Sequence, residues 1–81
     1  MNYFDAIVNA YEALNINNDL EIEISEDTMF VKNLAFDSIT FIAFIIKLEP
    51  LIKMDLSAHT NRMLEIITIG DAIEYLESLN A

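Results

Sequence analysis

The stretch that decides the fold runs from residue 37 to residue 52 and reads DSITFIAFIIKLEPLI. Asp37 is a residue type that caps helix N-termini, and Ser38 follows it as the first helical residue. Apolar side chains then recur at the three- and four-residue spacing of one helix face, namely Phe41, Phe44, Ile45, Leu48 and Ile52. Pro50 has no backbone N–H and disfavours helical geometry at the residue before it. We therefore predict a helix that begins at Ser38, buries Phe41 and Phe44, and kinks or stops near residues 47–49.

Similar patterns predict three further helices. The first covers about residues 2–14, with Phe4, Ile7, Val8, Tyr11 and Leu14 on one face. A short helix over residues 57–64 would begin with Ser57 as its cap. The last covers about residues 68–79, where Thr68 and Asp71 have the spacing of a capping box. The predicted fold class is all-α, a four-helix bundle with three longer helices, one short helix and a long loop after helix one.

The long loop contains an alternating segment at residues 20–24, in which apolar and acidic side chains take turns. Such alternation is typical of a strand, but a lone strand would have no partner, so we interpret the segment as an extended loop that packs on the helices. The acidic residues between positions 19 and 27 also suggest a calcium loop. Ile24 stands where that loop needs Gly and Phe30 where it needs a bidentate Glu, so we predict no calcium site.

The composition limits the partners that the chain can bind. Its 81 residues suit a single domain, 1–81, and 54% of them are apolar, with one Gly, one Pro and no Cys. Fourteen acidic residues against four basic ones give a net charge of -10, which repels nucleic acid and anionic membranes. The N-terminus shows no targeting segment, and the most apolar run, residues 39–46, is too short to span a membrane. We expect a cytoplasmic monomer that binds neither nucleic acid nor membrane.

The residue inventory argues against an enzyme. One His and no Cys exclude a Cys–His pair and leave His59 as the only histidine for a Ser–His–acid set. His59 lies in the polar segment 57–61, where we expect a solvated surface residue. One His with scattered carboxylates lacks the grouped ligands of zinc or iron sites, and the single glycine, Gly70, cannot form a Gly-rich phosphate loop. We predict no catalytic residue and no metal.

What remains is a serine at the start of an apolar helix. The triplet Asp37-Ser38-Ile39 places the hydroxyl after a capping acid and before a large apolar residue. The backbone amides and the positive dipole end of this helix would favour a phosphate on Ser38. A capped helix start explains the triplet equally well, so its context decides between the two interpretations.

The context resembles a known family. Residues 30–39, FVKNLAFDSI, resemble the segment of acyl and peptidyl carrier proteins in which a Phe, a Leu and usually a Gly lead into Asp-Ser-Leu or Asp-Ser-Ile. Lys47-Leu48-Glu49, Leu56 and residues 68–76 are similar to the family's second-helix end, its following loop and its last helix. The resemblance spans nearly the whole chain.

The resemblance implies a function for Ser38. In that family, a magnesium-dependent phosphopantetheinyl transferase moves a 4'-phosphopantetheine arm from coenzyme A onto the serine. The thiol of the arm would hold an acyl or aminoacyl group as a thioester. A loading enzyme, either an adenylating enzyme or an acyltransferase, would attach that group, and condensing or modifying synthase enzymes would act on it. The carrier itself would perform no catalysis.

The resemblance also implies functions for the residues around Ser38. Asp37 matches the acid before the family's serine, where it serves either as the helix cap or at the transferase magnesium. Partner contacts are expected at six positions that flank or follow the serine: Phe36, Ile39, Thr40, Ala43, Ile46 and Lys47.

The chain departs from fatty-acid carriers in three respects. Ala35 replaces the usual Gly, which requires a backbone conformation that a side chain tolerates, and Pro50 replaces an acidic residue in an unbroken helix. The outward positions Thr40, Ala43 and Lys47 carry none of the acidic residues that meet basic partner patches. We therefore interpret the chain as a free-standing carrier for polyketide or nonribosomal peptide biosynthesis. A fatty-acid-type carrier and a non-carrier helical adaptor are the alternatives.

Overall fold

The computed structural model describes residues 2–14 and 24–79, and the elements in these two ranges are four α-helices and a short 3₁₀ turn. Helix α1 covers Tyr3–Ala13 and α2 covers Ser38–Ile52. The 3₁₀ turn Ser57–His59 leads directly into α3, Thr60–Met63, and α4 covers Ile69–Leu79. The predicted all-α fold with three longer helices and one short one is confirmed. None of the helices in the described ranges combines the length and apolar character needed to span a bilayer.

The core forms where α1, α2 and α4 turn their apolar faces toward one another, with α1 lying mainly against α2. Phe41 and Phe44 of α2 are buried, as the spacing predicts. Their rings surround Phe30, which comes from the connection before α2, with ring centroids 4.9 Å and 5.4 Å from it. Each large aromatic side chain removes much apolar area from water, so this cluster contributes strongly to the stability of a chain this short.

Helix α2 does not stop near residues 47–49, so of the two predicted outcomes, a kink or an end, the end is wrong. The helix continues to Ile52 and ends at Lys53, whose backbone adopts a left-handed conformation with φ 56° and ψ 42°. Its N–H donates to the Glu49 carbonyl. Proline in a helix interior costs about 3 kcal/mol, and burial of an Ile side chain offsets roughly 2 kcal/mol of that cost. Ile52 is 5% exposed, so its packing compensates for most of the cost of Pro50.

Sequence rules hold at the starts of α1 and α4 and fail at the start of the 3₁₀ turn. Asn2 caps α1 by accepting the Phe4 N–H at 3.0 Å. The capping box of α4 is confirmed, because the Thr68 hydroxyl accepts the Asp71 N–H at 3.0 Å and the Asp71 carboxylate accepts the Thr68 N–H at 3.2 Å. The expected Ser57 cap was wrong. Ser57 is the first residue of the 3₁₀ turn, and its N–H donates to the Asp55 carboxylate at 2.9 Å.

The connection before α2 is tied to the start of α4. The Phe30 N–H donates to the Ile67 carbonyl at 3.0 Å, and the Ile69 N–H donates to the Thr28 carbonyl at 2.9 Å. The Gly70 N–H reaches the Glu26 carbonyl at 2.8 Å. These bonds fix the segment that leads to Ser38. The alternating segment at 20–24 and the acidic residues 19–23 lie outside the described residues, apart from Ile24, which is half-buried.

Candidate functional site

Ser38 is the first residue of α2, and its side chain is exposed. Asp37 immediately precedes it and caps the helix, as predicted, by accepting the Thr40 N–H at 2.7 Å. This hydrogen bond from the Thr40 backbone lowers the pKa of the Asp37 carboxyl below its ordinary value of 3.8. Asp37 therefore stays ionised at neutral pH and holds the start of the helix that presents the Ser38 hydroxyl.

Phe36 anchors the chain just before this exposed pair. Its ring is 3% exposed and lies 5.4 Å from Phe30 and 5.9 Å from Tyr11, measured between centroids. Its N–H donates to the Phe30 carbonyl at 3.0 Å. The expectation that Phe36 contacts partners was therefore wrong, because its side chain belongs to the aromatic core. No helical periodicity exists before Ser38 that could have shown in which direction this residue faces.

Ala35 adopts the backbone conformation that glycine usually supplies. Its φ is 59°, in the left-handed region, where a Cβ atom is disfavoured. A side chain tolerates this region only at a cost of about 1–2 kcal/mol. The turn is held by the Asn33 and Leu34 N–H groups, which donate to the Met29 carbonyl, so the chain passes through Ala35 in this conformation despite the side chain.

The outer side of α2 presents an apolar surface beside Ser38. Ile39 is 78% exposed, Ile46 is 60% exposed and Ile42 is 41% exposed. Lys47 is also exposed. We call these four residues the isoleucine face. Sequence reasoning missed Ile42, although its position three residues after Ile39 and four before Ile46 places it on the same helix side.

The other two expected contacts, Thr40 and Ala43, are half-buried at the edge of this surface. Glu49 is the single acidic residue of α2, and its carboxylate accepts a hydrogen bond from the Leu56 N–H at 2.7 Å, in the connection that follows the helix. The structure thus brings Ser38, Asp37 and five of the six expected contacts to one side of α2, and leaves Phe36 inside.

His59 is not the solvated residue that its polar neighbours predict. It is half-buried, and its Nδ1 lies 3.0 Å from the Tyr75 hydroxyl of α4. The bond joins residues sixteen positions apart, so local spacing gives no signal for it. Two surface cavities, of about 470 Å³ and 230 Å³, lie beside the segment 62–67, and neither is lined by Ser38 or His59. The Ser38 hydroxyl is exposed and lies outside both cavities.

Comparison with known proteins finds similar chains that are named acyl carrier protein. The chain is 34% identical over 68 residues to the acyl carrier protein of Sulfurovum sp. (strain NBC37-1), covering 84% of each chain. It is 30% identical over 67 residues to the acyl carrier protein of Wolinella succinogenes, covering 83% of this chain and 82% of that one. No protein-family profile and no solved structure matches the chain.

Proposed function

This chain belongs to the acyl carrier protein family, and we propose that it carries acyl or aminoacyl groups as thioesters on a 4'-phosphopantetheine arm attached to Ser38. Members of this family are non-catalytic carriers on which partner enzymes act. The observation that carries the assignment to Ser38 is its exposed position at the start of α2, directly behind the Asp37 cap.

The residues around Ser38 fit a phosphate-linked arm. The Ser38 hydroxyl is exposed, and the fifteen-residue helix that it begins directs its positive dipole end toward a phosphate there. The arm supplies a terminal thiol that forms the thioester. The chain's own contribution is to hold Ser38 outward, through the Asp37 cap on one side and the buried Phe36 ring on the other.

The pathway is the finer part of the proposal. The isoleucine face carries three apolar residues and a lysine, which favours a carrier dedicated to polyketide or nonribosomal peptide biosynthesis over one for general fatty-acid synthesis. The partners would be a phosphopantetheinyl transferase, a loading enzyme that is an adenylating enzyme or acyltransferase, and condensing or modifying enzymes, all in the cytoplasm with a monomeric carrier. The two relatives named acyl carrier protein support the carrier function itself, and a fatty-acid-type carrier stays the alternative.

Intact-mass measurement tests the attachment site. The purified chain is incubated with coenzyme A, magnesium and a broad-specificity phosphopantetheinyl transferase. We expect the wild type to gain the mass of one arm and Ser38→Ala to gain none. Ser57→Ala is the matched control, since Ser57 is also exposed and also begins a helical turn, and it should load normally. A wild type that never loads would favour the helical adaptor.

A second measurement addresses the pathway. The chain that carries the arm is incubated with adenylating enzymes and amino acids, and separately with the malonyl-transferring enzyme of fatty-acid synthesis. Mass measurement then identifies the acyl or aminoacyl group bound to the arm. Preferential loading by the malonyl-transferring enzyme of general fatty-acid synthesis would overturn the dedicated-pathway proposal and leave the attachment to Ser38 intact.

A further inference from the structure

The charge of this acidic chain is unevenly distributed. Residues 28–53, which lead into and include α2, contain Lys32, Lys47 and Lys53 against only two carboxylates, Asp37 and Glu49. The remaining twelve of the fourteen acidic residues lie in the rest of the chain, where Arg62 is the only basic residue. The net charge of -10 therefore comes entirely from outside the segment that presents Ser38.

Both carboxylates of this segment are also engaged within the fold. Asp37 accepts the Thr40 N–H and Glu49 accepts the Leu56 N–H, each at 2.7 Å. Lys47, by contrast, is exposed one residue after Ile46. A partner that approaches the isoleucine face thus meets apolar surface with an ammonium group at its edge.

The isoleucine face begins beside Ser38 and runs along α2. Ile39 adjoins Ser38, and Ile46 lies seven residues further along the same helix side, about 10 Å away at 1.5 Å per residue. Protein interfaces have apolar centres and charged rims, and complementary charges at the rim select the partner. Lys47 at the edge of three exposed isoleucines matches this arrangement with the positive charge on the carrier's side.

We propose that the isoleucine face docks on partner enzymes whose contact surface is apolar and bordered by carboxylates. The proposal rests on the proposed function, because it concerns the enzymes that load and use the arm on Ser38. A partner bordered by lysines and arginines would repel Lys47 and would meet only one exposed carboxylate in this segment, Asp37, because Glu49 is half-buried and bonded to the Leu56 N–H.

Reversing the charge at Lys47 tests this inference, because the inference predicts the direction in which kcat/KM changes. The transferase of the source organism is assayed with saturating coenzyme A on the wild type, Lys47→Glu, Lys47→Met and Arg62→Glu. Lys47→Glu should lower kcat/KM roughly fivefold and Lys47→Met roughly twofold, since rim charges act mainly on association. Arg62→Glu is the matched control. It makes the same change in net charge beside Asp71 and Glu74, away from the isoleucine face, and its kcat/KM should equal the wild-type value.

Salt dependence gives a second readout. Because the overall charge of -10 would repel a carboxylate-bordered partner at long range, added salt should leave the wild-type rate unchanged or raise it. In the Lys47→Glu background, replacing a carboxylate at the transferase contact surface with lysine should restore loading. A Lys47→Glu variant that loads as fast as or faster than the wild type, or a wild-type rate that falls steeply with salt, would overturn the inference while the carrier function stands. A wild type that no transferase loads would remove the proposed function and the inference together.

Discussion

Replacing Ile46 by alanine separates a partner contact from a core residue, because the neighbouring Ile45 is the same residue type on the buried side of α2. Ile46 is 60% exposed and Ile45 is 3% exposed. Full burial of an Ile side chain contributes about 1.5–3 kcal/mol, so the buried part of Ile46 accounts for about 1 kcal/mol. Alanine is the better helix former by up to about 0.7 kcal/mol, which offsets most of that loss.

Ile46→Ala should therefore change the free energy of unfolding by less than about 1 kcal/mol, whereas Ile45→Ala should cost about 2–5 kcal/mol. For a domain of this size, 1 kcal/mol corresponds to roughly 4–8 °C in Tm, so thermal melting resolves the two variants easily. Loading by the transferase should show the reverse order at a temperature where both variants are folded. Ile46→Ala should slow loading several-fold, about the 1 kcal/mol of an interface contact, and Ile45→Ala should slow it less.

Two results would refute this reasoning. A loss of more than about 2 kcal/mol in Ile46→Ala would mean that its side chain packs against the fold. Unchanged loading kinetics in a stable Ile46→Ala variant would mean that partners do not contact this face. Ile39→Ala, at 78% exposure, repeats the test at the position next to Ser38 and should behave like Ile46→Ala.

Three further predictions concern the residues that support the site. Ala35→Gly should stabilise the fold by about 0.5 kcal/mol, because relief of the left-handed strain exceeds the entropy cost of glycine, whereas Ala58→Gly in the exposed 3₁₀ turn should destabilise it; urea unfolding compares them. Asp37→Asn keeps a capping oxygen but removes the charge. Since folding lowers the pKa of Asp37, its ionised form adds stability above about pH 3.8 that is lost as pH falls through the lower folded pKa, so the stability gap between wild type and Asp37→Asn should narrow from pH 7 to pH 3. If Asp37→Asn greatly slows attachment of the arm while it changes the free energy of unfolding only slightly, Asp37 acts at the transferase magnesium. Tyr75→Phe should lower the free energy of unfolding by about 1 kcal/mol because it removes the hydrogen bond to His59. His59→Ala should lower Tm by a similar amount but should acquire the arm at the wild-type rate. A folded His59→Ala variant that no longer acquires the arm would favour the interpretation of the chain as an enzyme.

The sequence predicts most of α2 and its surroundings because helical periodicity indicates both that a helix forms and which of its side chains face the core. Once Ser38 begins the helix, the spacing places Phe41 and Phe44 on the buried face, and the structure agrees. The family resemblance marks Ile39 and Ile46 as contacts, and both are exposed. The same argument fails one residue before the helix. Phe36 has no periodic neighbours, and its direction depends on contacts with Phe30 and Tyr11 that only the folded chain brings together.

The remaining differences arise where tertiary contacts override a local rule. Pro50 ends helices by a local mechanism, but burial of Ile52 beyond it stabilises one more turn. The half-burial of His59 depends on Tyr75 from another helix, which a polar local sequence cannot show. Ala35 is the opposite case. The family usually has glycine at this position, and glycine is the residue type that indicates a left-handed backbone. This chain has Ala35 instead and still adopts the left-handed conformation.

The aromatic core explains why Ser38 projects from the surface. Phe36 and Phe41 lie on either side of the serine in sequence, and both rings are buried with centroids 5.5 Å apart. The chain between them must therefore leave the core and return within four residues, which exposes Asp37, Ser38 and Ile39 together. The helix can start within this exposed segment because the Asp37 carboxylate accepts the Thr40 N–H, which would otherwise lack a hydrogen-bond partner. The residues that stabilise the fold are thus also those that present Ser38, the proposed attachment site, while Ile39, Ile42 and Ile46 stay exposed outside the core.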